Sequence, residues 1–230
     1  MKRILALTIG LLIAGGMIWA TPVSLETLIN TNGTITSGDK TFSNFQATLT
    51  TFGQGTTTPT DLSGISVVPV IQGGLFGISL TGGMYAACVP ADCPTTWNLN
   101  VSWEVTAASP YLIDGVYLII NGGSTNPPNS IVAVSENVFD GGLNFLGNGL
   151  VFTPTKLTNL ISLPQGYSKI SVFKDILLVA DIKSGFAFAK LSDVRQLYRQ
   201  TPSNAIPEPG TYAMLGAGLA ALALLRRRFS

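Results

Sequence analysis

The clearest pattern in the chain is a strict alternation of apolar and polar positions near residue 100. Large apolar residues occupy every second position from Leu99 to Val105, and polar residues fill the positions between them, from Asn100 to Thr106. Successive side chains of a β-strand point to opposite faces of the sheet. The pattern therefore predicts an antiparallel strand with one buried face and one solvated face.

Shorter apolar or β-branched runs recur along the chain between turn signals, whereas helical periodicity is hard to find. Three of the turn signals are Asn121-Gly122-Gly123, Asp140-Gly141-Gly142 and Pro164-Gln165-Gly166. Each run predicts a further short strand. The further predicted strands are Phe45–Phe52, Ile65–Val70, Phe76–Leu80, Val116–Ile120, Ile131–Val134, Ile170–Val172, Ile176–Val179 and Phe186–Phe188.

Nine or so short strands at this spacing predict an all-β fold, a single antiparallel β-sandwich of two packed sheets. The stretch Leu191–Gln200 is compatible with a final edge strand or with a short helix. No interior linker divides the body, and its length is sufficient for one domain with its own core.

The N-terminus has the features of a secretory signal peptide. Lys2 and Arg3 precede an apolar run, Ile4–Ala14, and the small residue Ala20 offers a cleavage point. We expect cleavage after Ala20. Ile18 is larger than the residue usually found two positions before the cut, so an uncleaved anchor is the alternative.

The C-terminal segment begins with Pro207, Glu208 and Pro209 and continues as an almost purely apolar run from Tyr212 to Leu225. Proline disfavours helix, so we expect an exposed, extended stalk ahead of this run. A helix of 16 residues ending at Leu225 would be about 24 Å long. Since the hydrocarbon layer of a membrane is roughly 30 Å thick, the prediction is a marginal transmembrane helix.

Arg226, Arg227 and Arg228 follow the apolar run directly. Basic residues beside a membrane segment stay on the cytoplasmic side, so this cluster acts as a membrane stop and the body lies outside the cytoplasm. The predicted organisation is a signal peptide (1–20), a β-sandwich (21–203), a Pro-Glu-Pro stalk (204–209) and a transmembrane helix with a basic tail (210–230).

This order of elements resembles the PEP-CTERM sorting signal of Gram-negative bacteria, and the match runs from Pro207 to Arg228 without a gap. The resemblance implies that an exosortase, a membrane-embedded transpeptidase-like enzyme, recognises the Pro-Glu-Pro motif. It also implies transient anchoring in the inner membrane and delivery of the body to the cell surface or matrix. The alternative is a simple anchor with a Pro-Glu-Pro spacer. Residues 35–45 and 168–200 resemble, more loosely, a group of PEP-CTERM proteins without an assigned activity.

Composition narrows the range of functions. Residues 21–206 contain eight basic and eleven acidic residues, without a basic patch, which argues against nucleic-acid binding. The chain has no histidine, which excludes Ser-His-Asp and Cys-His catalysis and imidazole ligands for zinc. We expect no cofactor and no metal.

Cys88 and Cys93 are the only cysteines. In an exported chain we expect them to form a disulfide, which would stabilise one local loop by about 2 kcal/mol. A catalytic redox pair is disfavoured because four residues, not two, separate them.

Two kinds of ligand chemistry stay open in the body. Five acids are available for glycoside hydrolysis, but no spacing selects a pair and no cluster suits calcium; they are Glu104, Glu136, Asp140, Asp175 and Asp181. Trp97, Trp103 and Tyr85 could stack on sugar rings. We expect Trp103 in the core, and Trp97, beside the cysteine loop, to be the exposed residue and the candidate glycan contact.

The leading hypothesis is a non-enzymatic surface or matrix protein, associated with biofilm or exopolysaccharide and processed at its sorting motif. A carbohydrate-binding module that uses Trp97 is the alternative. A carboxylate-dependent glycosidase is the least favoured, because Asp140 and Glu104 are better explained as a turn residue and a solvated strand residue.

Overall fold

The computed structural model describes residues 21–88, 93–126, 130–181 and 186–203, together with Ala217. The predicted signal peptide, the stalk and, apart from Ala217, the predicted membrane helix lie outside these residues. Within the described part, no helix is long and apolar enough to cross a membrane.

The described residues form an antiparallel β-sandwich, which confirms the predicted fold class. The elements in chain order are β1 Val23–Ser24, α1 Leu25–Asn30, β2 Ile35–Ser37, β3 Lys40–Phe52, β4 Thr56–Thr58, a 3-10 turn Leu62–Gly64, β5 Ser66–Gln72, β6 Leu75–Cys88, β7 Thr95–Ala107, β8 Tyr111–Asn121, β9 Ser124–Asn126, β10 Ile131–Asp140, β11 Phe145–Phe152, β12 Thr158–Tyr167, β13 Lys169–Ala180 and β14 Ala187–Pro202.

Two sheets face each other across one apolar core. The first has the order β1-β5-β6-β14-β8-β12, with β4 beside β6 and β9 beside β14. The second has the order β11-β10-β13-β7-β3-β2. The inward residues of β7 are buried, while Asn100 and Thr106 on its other face are exposed, as the alternation predicts. This strand lies inside the second sheet and sets the positions of its neighbours.

The last strand differs from its prediction. Leu191–Gln200 is neither an edge strand nor a helix but the middle of β14, which lies between β6 and β8 and pairs with both. The register with β6 shifts between Leu191 and Asp193, so that Leu191 and Val194 are both buried. This irregularity breaks the two-residue period, and the resulting spacing resembles that of a helix.

Two other predictions are corrected. Ile170–Val172 and Ile176–Val179 belong to one strand, β13, rather than to two. Pro164-Gln165-Gly166 is not a turn but part of β12, at a register irregularity opposite β8. Asp140-Gly141-Gly142 does form the turn between β10 and β11, as predicted.

Candidate functional site

The structure contradicts the expected exposure of Trp97. Its side chain is fully buried, and the indole Nε1 donates a hydrogen bond of 2.8 Å to the backbone oxygen of Pro59. Trp97 lies on the inward face of β7, two residues before the buried Leu99. A buried indole cannot stack on a sugar, so the assignment of Trp97 as a glycan contact is wrong.

Cys88 and Cys93 form the predicted disulfide, with their Cα atoms 5.4 Å apart. The bond connects the last residue of β6 to the segment that leads into β7. Both cysteines are buried.

Four of the five acids considered for hydrolysis are engaged in structural contacts, and the fifth, Asp181, is exposed after the end of β13. Glu104 forms an ion pair of 2.7 Å with Lys169. Asp140 accepts hydrogen bonds from the side chain and the backbone N–H of Asn144 and from the N–H of Gly142, and these bonds lower the pKa of its carboxyl group. No three acidic or cysteine residues in the described ranges are close enough to hold a metal ion.

Glu136 has a different environment, in the interior of the sandwich. Its Oε2 lies 2.7 Å from Nζ of Lys174, and both side chains are fully buried. The two residues are cross-strand partners on β10 and β13. From the opposite sheet, Nε2 of Gln196 on β14 donates a hydrogen bond of 3.3 Å to the other carboxylate oxygen, Oε1. One carboxylate therefore connects the two sheets.

Burial dominates the electrostatics of this cluster. Removal from water lowers the pKa of Lys174, and the charge and hydrogen bond of Glu136 act in the opposite direction. Nearby, Nε1 of Trp103 donates a 2.9 Å hydrogen bond to the hydroxyl of Tyr198, and burial raises the pKa of Tyr198 well above its usual value. Because these groups are closed off from solvent, a ligand in solution does not reach them, and loss of one partner would leave the other buried without its counter-charge.

The solvated face of the second sheet presents two adjacent rows of side chains, most of them polar. In one row, Gln46, Ser102, Phe173 and Asn137 are successive cross-strand partners on β3, β7, β13 and β10. Strict cross-strand register places these side chains next to one another.

A second row runs beside the first. Thr48, Asn100, Asp175 and Ser135 are again successive cross-strand partners on the same four strands. The two rows line a groove of about 470 Å³. We call this surface the Phe173 groove.

The groove combines an exposed aromatic ring with mostly uncharged polar groups and one carboxylate, Asp175. Phe173 is 44% exposed, and its ring packs edge-on against Phe139 at a centroid distance of 5.3 Å. Asp175 accepts a hydrogen bond of 2.5 Å from Nδ2 of Asn98. The sequence did not predict this site, because Phe173 falls between the predicted strands Ile170–Val172 and Ile176–Val179; only the structure shows that Phe173 faces outward and Lys174 inward.

The family model described as the PEP-CTERM protein-sorting motif matches residues 205–228. This match confirms the sorting signal predicted from Pro207 to Arg228. No curated protein matches the chain.

One similar solved structure is TmCBM61 in complex with beta-1,4-galactotriose. The two chains are 14% identical, the match covers 66% of this chain and 88% of that chain, and the TM-score is 0.30. A carbohydrate-binding module described for specific mannan recognition, TmCBM27, has 14% identity, 79% and 97% coverage and a TM-score of 0.27. The enzymatically active domain of tailspike protein 4 from bacteriophage CBA120 has 14% identity, 64% and 19% coverage and a TM-score of 0.22.

Proposed function

We propose that this chain, which carries a PEP-CTERM sorting motif at residues 205–228, is an exported, non-enzymatic protein of the cell surface or extracellular matrix. An exosortase recognises Pro207, Glu208 and Pro209 and processes the chain there. The observation that carries the proposal is the match of the whole C-terminal segment to one sorting motif, in the order Pro-Glu-Pro, apolar run and arginine cluster.

The two ends of the chain act in sequence. The signal peptide directs residue 21 and the following chain across the inner membrane. Arg226, Arg227 and Arg228 then hold the C-terminus on the cytoplasmic side while the apolar run spans the membrane. The Pro-Glu-Pro stretch is left in an extended, accessible form at the outer face of that membrane. Processing there releases the sandwich to the surface or matrix.

The contacts of the acidic residues support a non-enzymatic body. Glycoside hydrolysis requires two accessible carboxyl groups on either side of the substrate. In the described part of the sandwich, Glu136 is buried in an ion pair, Glu104 pairs with Lys169 and Asp140 is bonded within its own turn. Each of these carboxylates thus already has a structural role.

Replacement of Pro207, Glu208 and Pro209 by alanine tests the proposal in cells that contain an exosortase. The wild-type protein recovered from the surface or medium should lack its C-terminal segment, as measured by mass spectrometry of the intact protein. The triple variant should remain full-length in the inner membrane, because the recognised segment is gone.

The matched control replaces Ser203 and Asn204, directly upstream of the motif, by alanine, and it should be processed normally. A wild-type chain that stays full-length in the inner membrane despite an active exosortase contradicts the proposal. Normal processing of the triple variant would show that the Pro-Glu-Pro motif is not the determinant.

A further inference from the structure

We propose that the Phe173 groove binds a segment of an uncharged polysaccharide. This deepens the proposed function, because it names a ligand for the exported sandwich, and it rests on that function for the place where such a polymer would be met. The site lies on the solvated face of the second sheet, away from the buried Trp97.

The groove has the dimensions of a binding site for an extended polymer. The row Gln46–Ser102–Phe173–Asn137 continues to Asn148, the partner of Asn137 on β11. With neighbouring strands about 4.8 Å apart, these five strands span roughly 19 Å. A polysaccharide chain lying across the strands would therefore contact one side chain of this row on each strand that it crosses.

The polar groups match the needs of sugar hydroxyls. A hydroxyl both donates and accepts hydrogen bonds, and an amide side chain offers two donors and one acceptor oxygen. The amides of Gln46 and Asn137 are exposed and make no side-chain hydrogen bond with any other described residue. They are free to exchange water for a ligand.

The ring of Phe173 supplies apolar contact in the middle of the row. A sugar ring presents C–H groups on its faces, which pack against an aromatic surface. The edge-on contact with Phe139 holds the Phe173 ring in place, so less side-chain freedom is lost on binding. The site is largely formed before the ligand arrives.

The charges of the groove favour a neutral ligand over an acidic one. Among the described lining residues, Lys174 turns its ammonium group inward to Glu136, and no other lysine or arginine is present. The remaining ionisable group is Asp175, which is bonded to Asn98. An anionic polymer would gain no partner here and would be repelled by this carboxylate.

Affinity gel electrophoresis tests the proposal with the full-length chain in mild detergent, so that the result does not depend on processing. The gels contain a neutral glucan, galactan or mannan, or the acidic polysaccharide alginate. We expect at least one neutral polysaccharide to retard the wild-type protein. Phe173→Ala should weaken that binding about tenfold or more, through loss of the stacked contact.

The matched control is Phe186→Ala, because Phe186 is 43% exposed, nearly the same as Phe173, but lies outside the groove. It should bind like the wild type. Asn137→Ala is a second groove variant and should also bind more weakly, with an unchanged unfolding midpoint.

Three results would overturn the proposal. They are no retardation of the folded protein by any neutral polysaccharide, retardation by alginate alone, and equal loss of binding in the Phe173 and Phe186 variants. Concentration-dependent self-association abolished by Phe173→Ala, without glycan binding, would instead identify the groove as a contact between copies of this chain. A failed glycan test leaves exosortase processing unaffected, so the two proposals fail separately.

Discussion

A single indole shows how position on a strand decides the role of an aromatic residue. The alternation that identifies β7 from Leu99 onward also places Trp97 on its inward face, because the two residues are two positions apart. Proximity to the cysteine loop suggested exposure instead. The period-two rule was therefore the stronger signal, and it would have predicted the burial of Trp97 correctly.

Replacement of Trp97 by alanine should lower the free energy of unfolding by about 3–5 kcal/mol, because it leaves a large cavity. It also removes the hydrogen bond to the buried backbone oxygen of Pro59. Urea denaturation measures the change. Phe52→Ala is the control, since Phe52 is 66% exposed and should matter little. Equal stability of the two variants would contradict the burial of Trp97.

The sequence predicted individual strands where apolar and polar residues alternate regularly. It failed to predict their full length where polar residues point into the core. In β13 the usual placement of apolar residues inward and polar residues outward is reversed at two positions. Phe173 faces solvent, and Lys174 faces the core. The same happens at Glu136 in β10 and at Gln196 in β14. In β13 and β10 these inversions split or shortened the predicted strands, whereas in β14 the register shift after Leu191 obscured the strand. They also mark the two places with the most distinctive chemistry, the buried ion pair and the Phe173 groove.

The pairing of β6 with β14 depends on a glycine. A Cβ atom at Gly77 would lie 1.8 Å from the backbone oxygen of Gln196, which is far inside van der Waals contact. Gly77→Ala should therefore destabilise the protein by about 1–3 kcal/mol or more, because the two strands must move apart. Thermal or urea unfolding measures the loss.

The control substitution is Gly141→Ala, at a glycine in the turn between β10 and β11. A Cβ at Gly141 would meet no atom within 4 Å, so the substitution should change stability little. A Gly77 variant as stable as the Gly141 variant would show that β6 and β14 tolerate a side chain at their contact.

At the scale of the whole molecule, composition and strand spacing were sufficient to predict a β-sandwich. The order of the strands in each sheet could not be predicted from them. The order depends on pairs distant in sequence, such as Lys40 of β3 with Ala107 of β7. The Phe173 groove is built from four strands that are not consecutive in the chain, so its rows exist only after the sheet forms. Local patterns carry no information about such a surface.

The buried ion pair of Glu136 and Lys174 predicts that substitutions at these two residues have strongly coupled effects on the free energy of unfolding. Lys174→Met should cost about 3–5 kcal/mol, because it leaves a buried carboxylate without its cation. Adding Glu136→Gln removes that charge and keeps an acceptor for Gln196, so the double variant should recover most of the loss. Urea denaturation of both single variants and the double variant measures the coupling. Additive losses would contradict it.

The position of β14 has a mechanical consequence. The described sandwich ends at Ser203, one residue after this central strand, and the sorting motif follows at residues 205–228. Any tension applied through that end of the chain enters the domain along a strand that is hydrogen-bonded to β6 on one side and β8 on the other. Such a strand cannot be peeled away one bond at a time, since both ladders must slip together. We therefore expect this end of the described domain to resist a pull along the strand better than a strand paired on one side would.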